Sequence, residues 1–376
     1  MATYYVRSSG GNDSNAGTSF ALGWATLQKA ADTAVAGDLV LVCAYGNHLP
    51  TAKVDFDTNA GSDVAQIEFR GAGATGADDG TVATISGASL PATTDMIDLT
   101  VSVNHILFKG LRFTAATRDN VVMGSDAMGT MFVNCRMDNA TGRGAYTTGS
   151  GSYYAFIGCE FDNNGGWGLT MNSGARGKMK VAFCSIHDNA GGGLRDSLYL
   201  VNNGVPYYDR NLIYDNAGVG LELTHVTMSS LGRAVITNNT IWNNSSDGVK
   251  FTSGDNNLFP YFANNILVDN GGYGWNISGT SEAGRIADIK NLCSYNNTSG
   301  HCDFNSGVLP GSGHVLESPQ FVSTTDGAED LTPQNTNLLI ERVYGSGGTS
   351  HEYIGAIQPE RVAGVTLGPY ESGAWR

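Results

Sequence analysis

From residue 135 onward the chain repeats short alternating apolar and polar segments around a fixed punctuation. The units read CRMDNATGRGAYTT from Cys135, CEFDNNGGWGLTMN from Cys159, CSIHDNAGGGLRDS from Cys184 and NLIYDNAGVGLELT from Asn211. They continue as NTIWNNSSDGVKFT from Asn239, NILVDNGGYGWNIS from Asn265 and NLCSYNNTSGHCDF from Asn291. Successive starts lie 24, 25, 27, 28, 26 and 26 residues apart. Alternation predicts strands, and each unit holds two short ones, such as NLI and GLELT, split by an Asn/Gly turn. A period near 25 is too short for a propeller blade, which takes roughly 40–45 residues, and there is no Leu-rich consensus.

Stacking one unit on the next brings equivalent residues to about 4.8 Å, so identical residues form ladders. Asn suits a ladder because its amide both donates and accepts. Asn211, Asn239, Asn265 and Asn291 are therefore expected in one buried column, with Cys135, Cys159 and Cys184 as stacked free thiols in the same column. The repeated Gly (Gly144, Gly168, Gly193, Gly220, Gly248, Gly274, Gly300) marks either a positive φ or a close backbone approach. The pattern predicts an all-β protein, a parallel β-helix solenoid of about ten or more coils.

Period-2 segments continue upstream at Leu39, Ala65, Thr81, Met96 and His105. A solenoid must cap its open edges. Residues Ala25 to Val35 predict a short amphipathic helix with Leu27, Ala30, Ala31 and Val35 on one side. The expected organisation is an N-terminal strand and capping helix over 1–37, the β-helix over 38–318, and a C-terminal cap or appended strands over 319–376.

Composition sharpens this. The 376 residues include 51 Gly, 32 Asn and only 9 Pro, and 41% are hydrophobic, enough for a core. A net charge of −14 argues against nucleic acid and against an anionic membrane surface. No apolar run approaches the roughly 18–20 residues of a membrane span. The opening MATYYVRSSGG lacks a signal-peptide pattern, and six cysteines in this length do not form a disulfide framework, although Cys293 and Cys302 are close enough in sequence to pair.

The opening YYVRSSGGNDSNAGTS, the following GWATLQKAADTAVAGDLVLV and the Asn/Gly coils resemble the right-handed parallel β-helix, pectate-lyase-like superfamily. SPQFVSTTDGAEDLTPQN is similar to its usual C-terminal ending. A looser likeness joins the N-terminus to β-helix structural proteins of tailed phages. The resemblance implies the fold; function is open, because such folds host lyases, hydrolases, epimerases, adhesins and tailspikes. Asp-Pro-His-Asp and Trp-Ile-Asp-His, signatures of epimerases and pectate lyases respectively, are both missing.

The resemblance directs attention to outward columns. Tyr146, Thr170, Arg195, Glu222, Lys250 and Asn276 should stack, with His225 just beyond. Under a lyase reading, Arg195 or a bound Ca²⁺ neutralises a uronate carboxylate and Lys250 takes the C5 proton. Under the plainer reading, Arg195, Glu222 and Lys250 are a cross-strand ion-pair ladder of little energetic weight. Asp188 and Asp215 could hold Ca²⁺ or cap a turn. His187, Tyr214 and Trp242 form an outward stripe that either meets glycan or a partner or lies under a long loop. Asp196 points inward and needs partners.

Two function classes follow. One is a non-catalytic virion surface protein, a capsid decoration or tail-associated β-helix, expected as a homotrimer with other virion proteins and possible surface polysaccharide as partners, and without cofactor. The other is a secreted polysaccharide lyase or related carbohydrate-active enzyme on a uronic-acid polymer, for which Ca²⁺ is the natural cofactor. The sequence places the first ahead.

Overall fold

A computed structural model describes residues 1–353 apart from 102–103, 125–126, 149–152, 172–178, 199–204, 226–233, 254–259, 280–287, 304–312, 326–327, 335–338 and 345–347. The chain is an all-β parallel solenoid with three long sheets. Sheet 1 has 11 strands, sheet 2 has 9 and sheet 3 has 10. Each coil visits them in turn, as in Met131–Val133 (sheet 1), Arg136–Asp138 (sheet 2) and Ala145–Thr147 (sheet 3). Every neighbour within these sheets pairs in parallel, coil on coil.

The inward columns follow the predicted alternation. Ala145, Leu169, Leu194, Leu221, Val249 and Trp275 align in register on sheet 3 and are buried. On sheet 1, Phe108, Phe132 and Phe156 stack with centroids 4.8 and 5.2 Å apart and nearly parallel planes. Stacked aromatics contribute roughly 0.5–1.5 kcal/mol per pair beyond burial. Asp196 finds its partner across the core: the Tyr208 hydroxyl of sheet 1 donates to it.

The corner between sheets 1 and 2 carries the expected ladder. Asn211 donates to Asn239 Oδ1 and Asn239 to Asn265 Oδ1, each at 2.9 Å, and all three are fully buried. Each amide also donates to the inward carbonyl of the preceding coil: Val181, Tyr208 and Ile236. Cys135, Cys159 and Cys184 occupy the same column, and their thiols donate to the equivalent carbonyls of Phe108, Phe132 and Phe156. All six cysteines are free.

Asn291 departs from the expectation. Cys293 pairs with Ile266, which places Leu292 and not Asn291 opposite Asn265. Asn291 lies one position earlier, with φ 50°, and donates to Asn264 Oδ1 at 3.0 Å in a ladder outside the core. A one-residue slip in the last repeat moves the side chain out of the buried column.

A second buried ladder, not singled out from sequence, runs along the corner between sheets 2 and 3. Asn164, Asn189, Asn216, Asn244, Asn270 and Asn297 are linked by successive amide bonds of 2.9–3.1 Å. The residue before each takes a left-handed φ of 50–58°: Asn163, Asp188, Asp215, Asn243, Asp269 and Asn296. Asn and Asp tolerate that region best among side-chain-bearing residues. Six of the seven repeated Gly answer the close-approach alternative, as where a Cβ on Gly220 would lie 2.6 Å from Ile241 Cγ2 and 2.7 Å from the Gly248 carbonyl, while Gly300 answers the other with a φ of +119°.

At the N-terminal end the strand Thr3–Arg7 pairs with Leu39–Cys43 in sheet 1, and a helix spans Leu27–Thr33. Thr26 caps the helix by accepting from the Lys29 amide at 3.1 Å. Leu27, Ala30 and Ala31 are buried as expected, but the helix stops before Val35, which is exposed. Toward the C-terminus, Phe321–Ser323 and Asp330–Pro333 form an antiparallel pair.

Candidate functional site

The outward column of sheet 3 forms as the alternation requires. Tyr146, Thr170, Arg195, Glu222, Lys250 and Asn276 pair in register on six successive coils. Arg195 Nε lies 3.2 Å from Glu222, and Lys250 Nζ lies 4.0 Å from the other oxygen of the same carboxylate. Two cations thus share one anion. The buried Thr170 hydroxyl has no hydrogen-bond partner among the described residues, nor has Asn276 Oδ1, whose Nδ2 donates to Asp247 at 2.9 Å. Buried polar atoms without partners are uncommon, and they bracket the three charged residues here. His225 ends the strand Leu221–His225 and pairs with Leu198 and Ser253; its side chain lies outside the described residues.

The same face holds Arg143, whose guanidinium lies 3.5 Å from the Tyr146 ring centroid and pairs with buried Asp119 at 2.8 Å. It also holds Trp167, half-buried, with the Arg195 guanidinium 5.9 Å from its ring. Trp167 was not singled out from sequence, because in the repeat frame it stands just before the Gly, where most coils carry a small or polar residue.

Calcium requires about six to eight oxygen ligands. Glu222 is held by two cations, and Asp247 by the Tyr273 amide and Asn276 Nδ2. The described donors of this face do not fit that ion. Asp188 and Asp215 do not fit it either. Both are left-handed turn residues; Asp188 pairs with His187 Nδ1 at 2.8 Å, and Asp215 accepts from Asn243 at 2.5 Å. Turn geometry, with Asn doing the same work uncharged on other coils, accounts for this column.

The stripe on sheet 2 stacks as expected but is not free. His187 lies on Tyr214 with centroids 4.7 Å apart and planes at 9°, and Trp242 follows at 6.4 Å. Tyr214 and Trp242 are each only 7% exposed, packed with Leu212, Ile266, Val268, Cys293 and Leu331 and against Val315 and Phe321. Val315, Phe321 and Leu331 cover this apolar surface, which matches the second of the two alternatives, burial under a later segment, rather than a free glycan or partner surface.

Towards the N-terminus the same face becomes charged. Arg112 forks onto Asp138, and Arg136 binds Asp162 through Nε at 2.9 Å and a terminal nitrogen at 2.6 Å. Glu160, Asp162 and His187 have ligand atoms within 4.8 Å of one another. Arg136, which also lies 3.9 Å from Glu160, already occupies the place of a cation there. Burial alone would lower the His187 pKa, but Glu160 at 3.5 Å and Asp188 more than offset it and hold the imidazole above its ordinary value.

The family model described as "Right handed beta helix region" matches residues 119–287. The pectate lyase Pel9A structure aligns over 95% of this chain and 96% of its own, at 16% identity and a TM-score of 0.66. The fold is a right-handed parallel β-helix, similar to that of the pectate lyase structure. A rhamnogalacturonan lyase aligns over 87% of this chain and 92% of its own, at 14% identity and a TM-score of 0.58. The A-module of the Azotobacter vinelandii mannuronan C-5 epimerase AlgE4 aligns over 71% and 72%, at 13% identity and a TM-score of 0.51. No curated protein sequence matches the chain. At these identities the likeness concerns the fold, and these three structural neighbours are named as two lyases and an epimerase.

Proposed function

We propose that this β-helix is a carbohydrate-active protein that cleaves a uronic-acid polysaccharide by β-elimination on the outer face of sheet 3. The observation that carries the reading is the in-register triplet Arg195–Glu222–Lys250, where two cations share one carboxylate on a chain of net charge −14. That local positive excess suits the carboxylate of one uronate residue. Arg195 neutralises the carboxylate and stabilises the charge that develops as the C5 proton leaves. Lys250, after releasing its own proton to solvent, takes the C5 proton. The C5–H electron pair becomes the C4–C5 double bond, the C4–O4 bond breaks, and the departing oxygen is protonated from solvent. Glu222 is a positioning residue that holds the two cations on adjacent coils.

The names of the structural neighbours support a polymer-active reading. It takes precedence over the virion-decoration reading that the sequence placed first, to which the comparisons add no support. The test is a panel of polygalacturonate, rhamnogalacturonan and alginate, followed by the ultraviolet absorbance of unsaturated uronate ends. Wild type is expected to generate that absorbance on at least one polymer. Lys250→Ala is expected to lose roughly a hundredfold or more of the rate, and Glu222→Gln to fall between. Absence of product from every polymer would overturn the proposal.

A further inference from the structure

Three of the four described tryptophans are buried, Trp24 and Trp275 in the core and Trp242 under the segment that covers sheet 2. Trp167 is half-buried and joins neither hydrophobic cluster. A special backbone position accommodates its ring. Trp167 pairs in register with Gly192, whose φ is +142°. A Cβ on Gly192 would lie 2.6 Å from Trp167 Cζ3 and 2.8 Å from Cη2. The six-membered ring of the indole therefore rests against the bare backbone of the next coil, in space any other residue would fill. Thr170, on the same strand as Trp167, is the outward neighbour of Arg195, and its hydroxyl is the unpartnered one.

We infer that Trp167 is a stacking platform for one pyranose ring of the polymer, placed one coil before the Arg195 carboxylate seat. The polysaccharide then runs along the solenoid axis, from Trp167 past Arg195 to Lys250. The inference rests on the reading of sheet 3 as the polymer-binding face. The C–H face of a pyranose is apolar and weakly positive, and the indole face is negative and wide, so the two associate in water. Adjacent coils are about 4.8 Å apart, which matches in order of magnitude the advance per residue of an extended 1,4-linked chain. A sugar stacked on Trp167 thus places the carboxylate of its neighbour beside Arg195. The ligand class is a pyranose polymer with a uronate next to the stacked residue.

The experiment is equilibrium titration of the full chain with galacturonate, alginate and neutral xylose oligomers, following tryptophan fluorescence and, for the variants, calorimetry. Wild type is expected to bind one uronate series with a fluorescence change. Trp167→Ala should bind about tenfold more weakly, Trp167→Phe should restore part of the affinity without the fluorescence change, and thermal stability should be unaltered in both. Equal affinity in Trp167→Ala and wild type would overturn the platform, and elimination that still depends on Lys250 would then leave the proposed function standing. Trp167-dependent binding of neutral oligomers alone would keep the platform and remove the uronate reading. If wild type binds none of the three series, both fall.

Discussion

Single residues on this solenoid act through their copies on neighbouring coils. Asn239 donates to Tyr208 O and Asn265 Oδ1, and its own Oδ1 receives both the amide and the side chain of Asn211. Truncation strands several buried partners at about 1–3 kcal/mol each. Asn239→Ala is therefore expected to cost about 3–5 kcal/mol in chemical denaturation. Asn211→Cys should cost clearly less than Asn239→Cys. At 211 only the Cys184 amide loses its acceptor, whereas at 239 both the amide and the side chain of Asn211 lose theirs. Equal midpoints for the two cysteine variants would contradict this account. At this scale the first ladder was legible, because three Cys and then three Asn recur in one column of the repeat. Asn291 was not, because its unit is out of step by one residue and the slip is visible only in the pairing of Cys293 with Ile266.

Strand triplets decide which surfaces are free. The outward column of sheet 2 passes from Asp138 and Asp162 through His187 to Tyr214, Trp242 and Val268 without a break in register. One end is neutralised by arginines and the other is covered by apolar side chains, so His187 joins two kinds of surface. The Glu160 and Asp188 carboxylates hold its pKa above the ordinary value of about 6.5. A raised folded-state pKa adds stability that is complete below about pH 6.5 and fades as pH rises through the folded-state value. His187→Gln should accordingly lower the melting temperature more at about pH 6 than at about pH 9. Thermal scans of both proteins across that range test the sign, and a larger loss at the alkaline end would refute it. The order of the stripe could be read from sequence, but its cover could not, since the covering segment lies some fifty or more residues further along the chain.

Among the described residues one continuous core runs along the solenoid, closed at the N-terminal end by the Leu27–Thr33 helix and flanked on sheet 2 by the segment that holds Val315, Phe321 and Leu331. Leu331 is completely buried on the aromatic stripe. Leu331→Ala is expected to loosen that segment by about 2–4 kcal/mol, seen as faster hydrogen exchange over 315–333 and increased binding of an apolar dye, while the sheet 1 core stays protected. Repetition alone determined the parallel solenoid, the inward columns, the Asn/Cys ladder and the stacking of Arg195, Glu222 and Lys250, because each depends only on a residue's place within its own coil. Tertiary structure decided the rest. It set the register of the last coil, the burial of Tyr214 and Trp242 and the resting place of Trp167 on Gly192. The burial of Tyr214 and Trp242 depends on a segment that shares no period with them, and the other two depend on register and side-chain packing between coils, which the repeat frame alone does not carry.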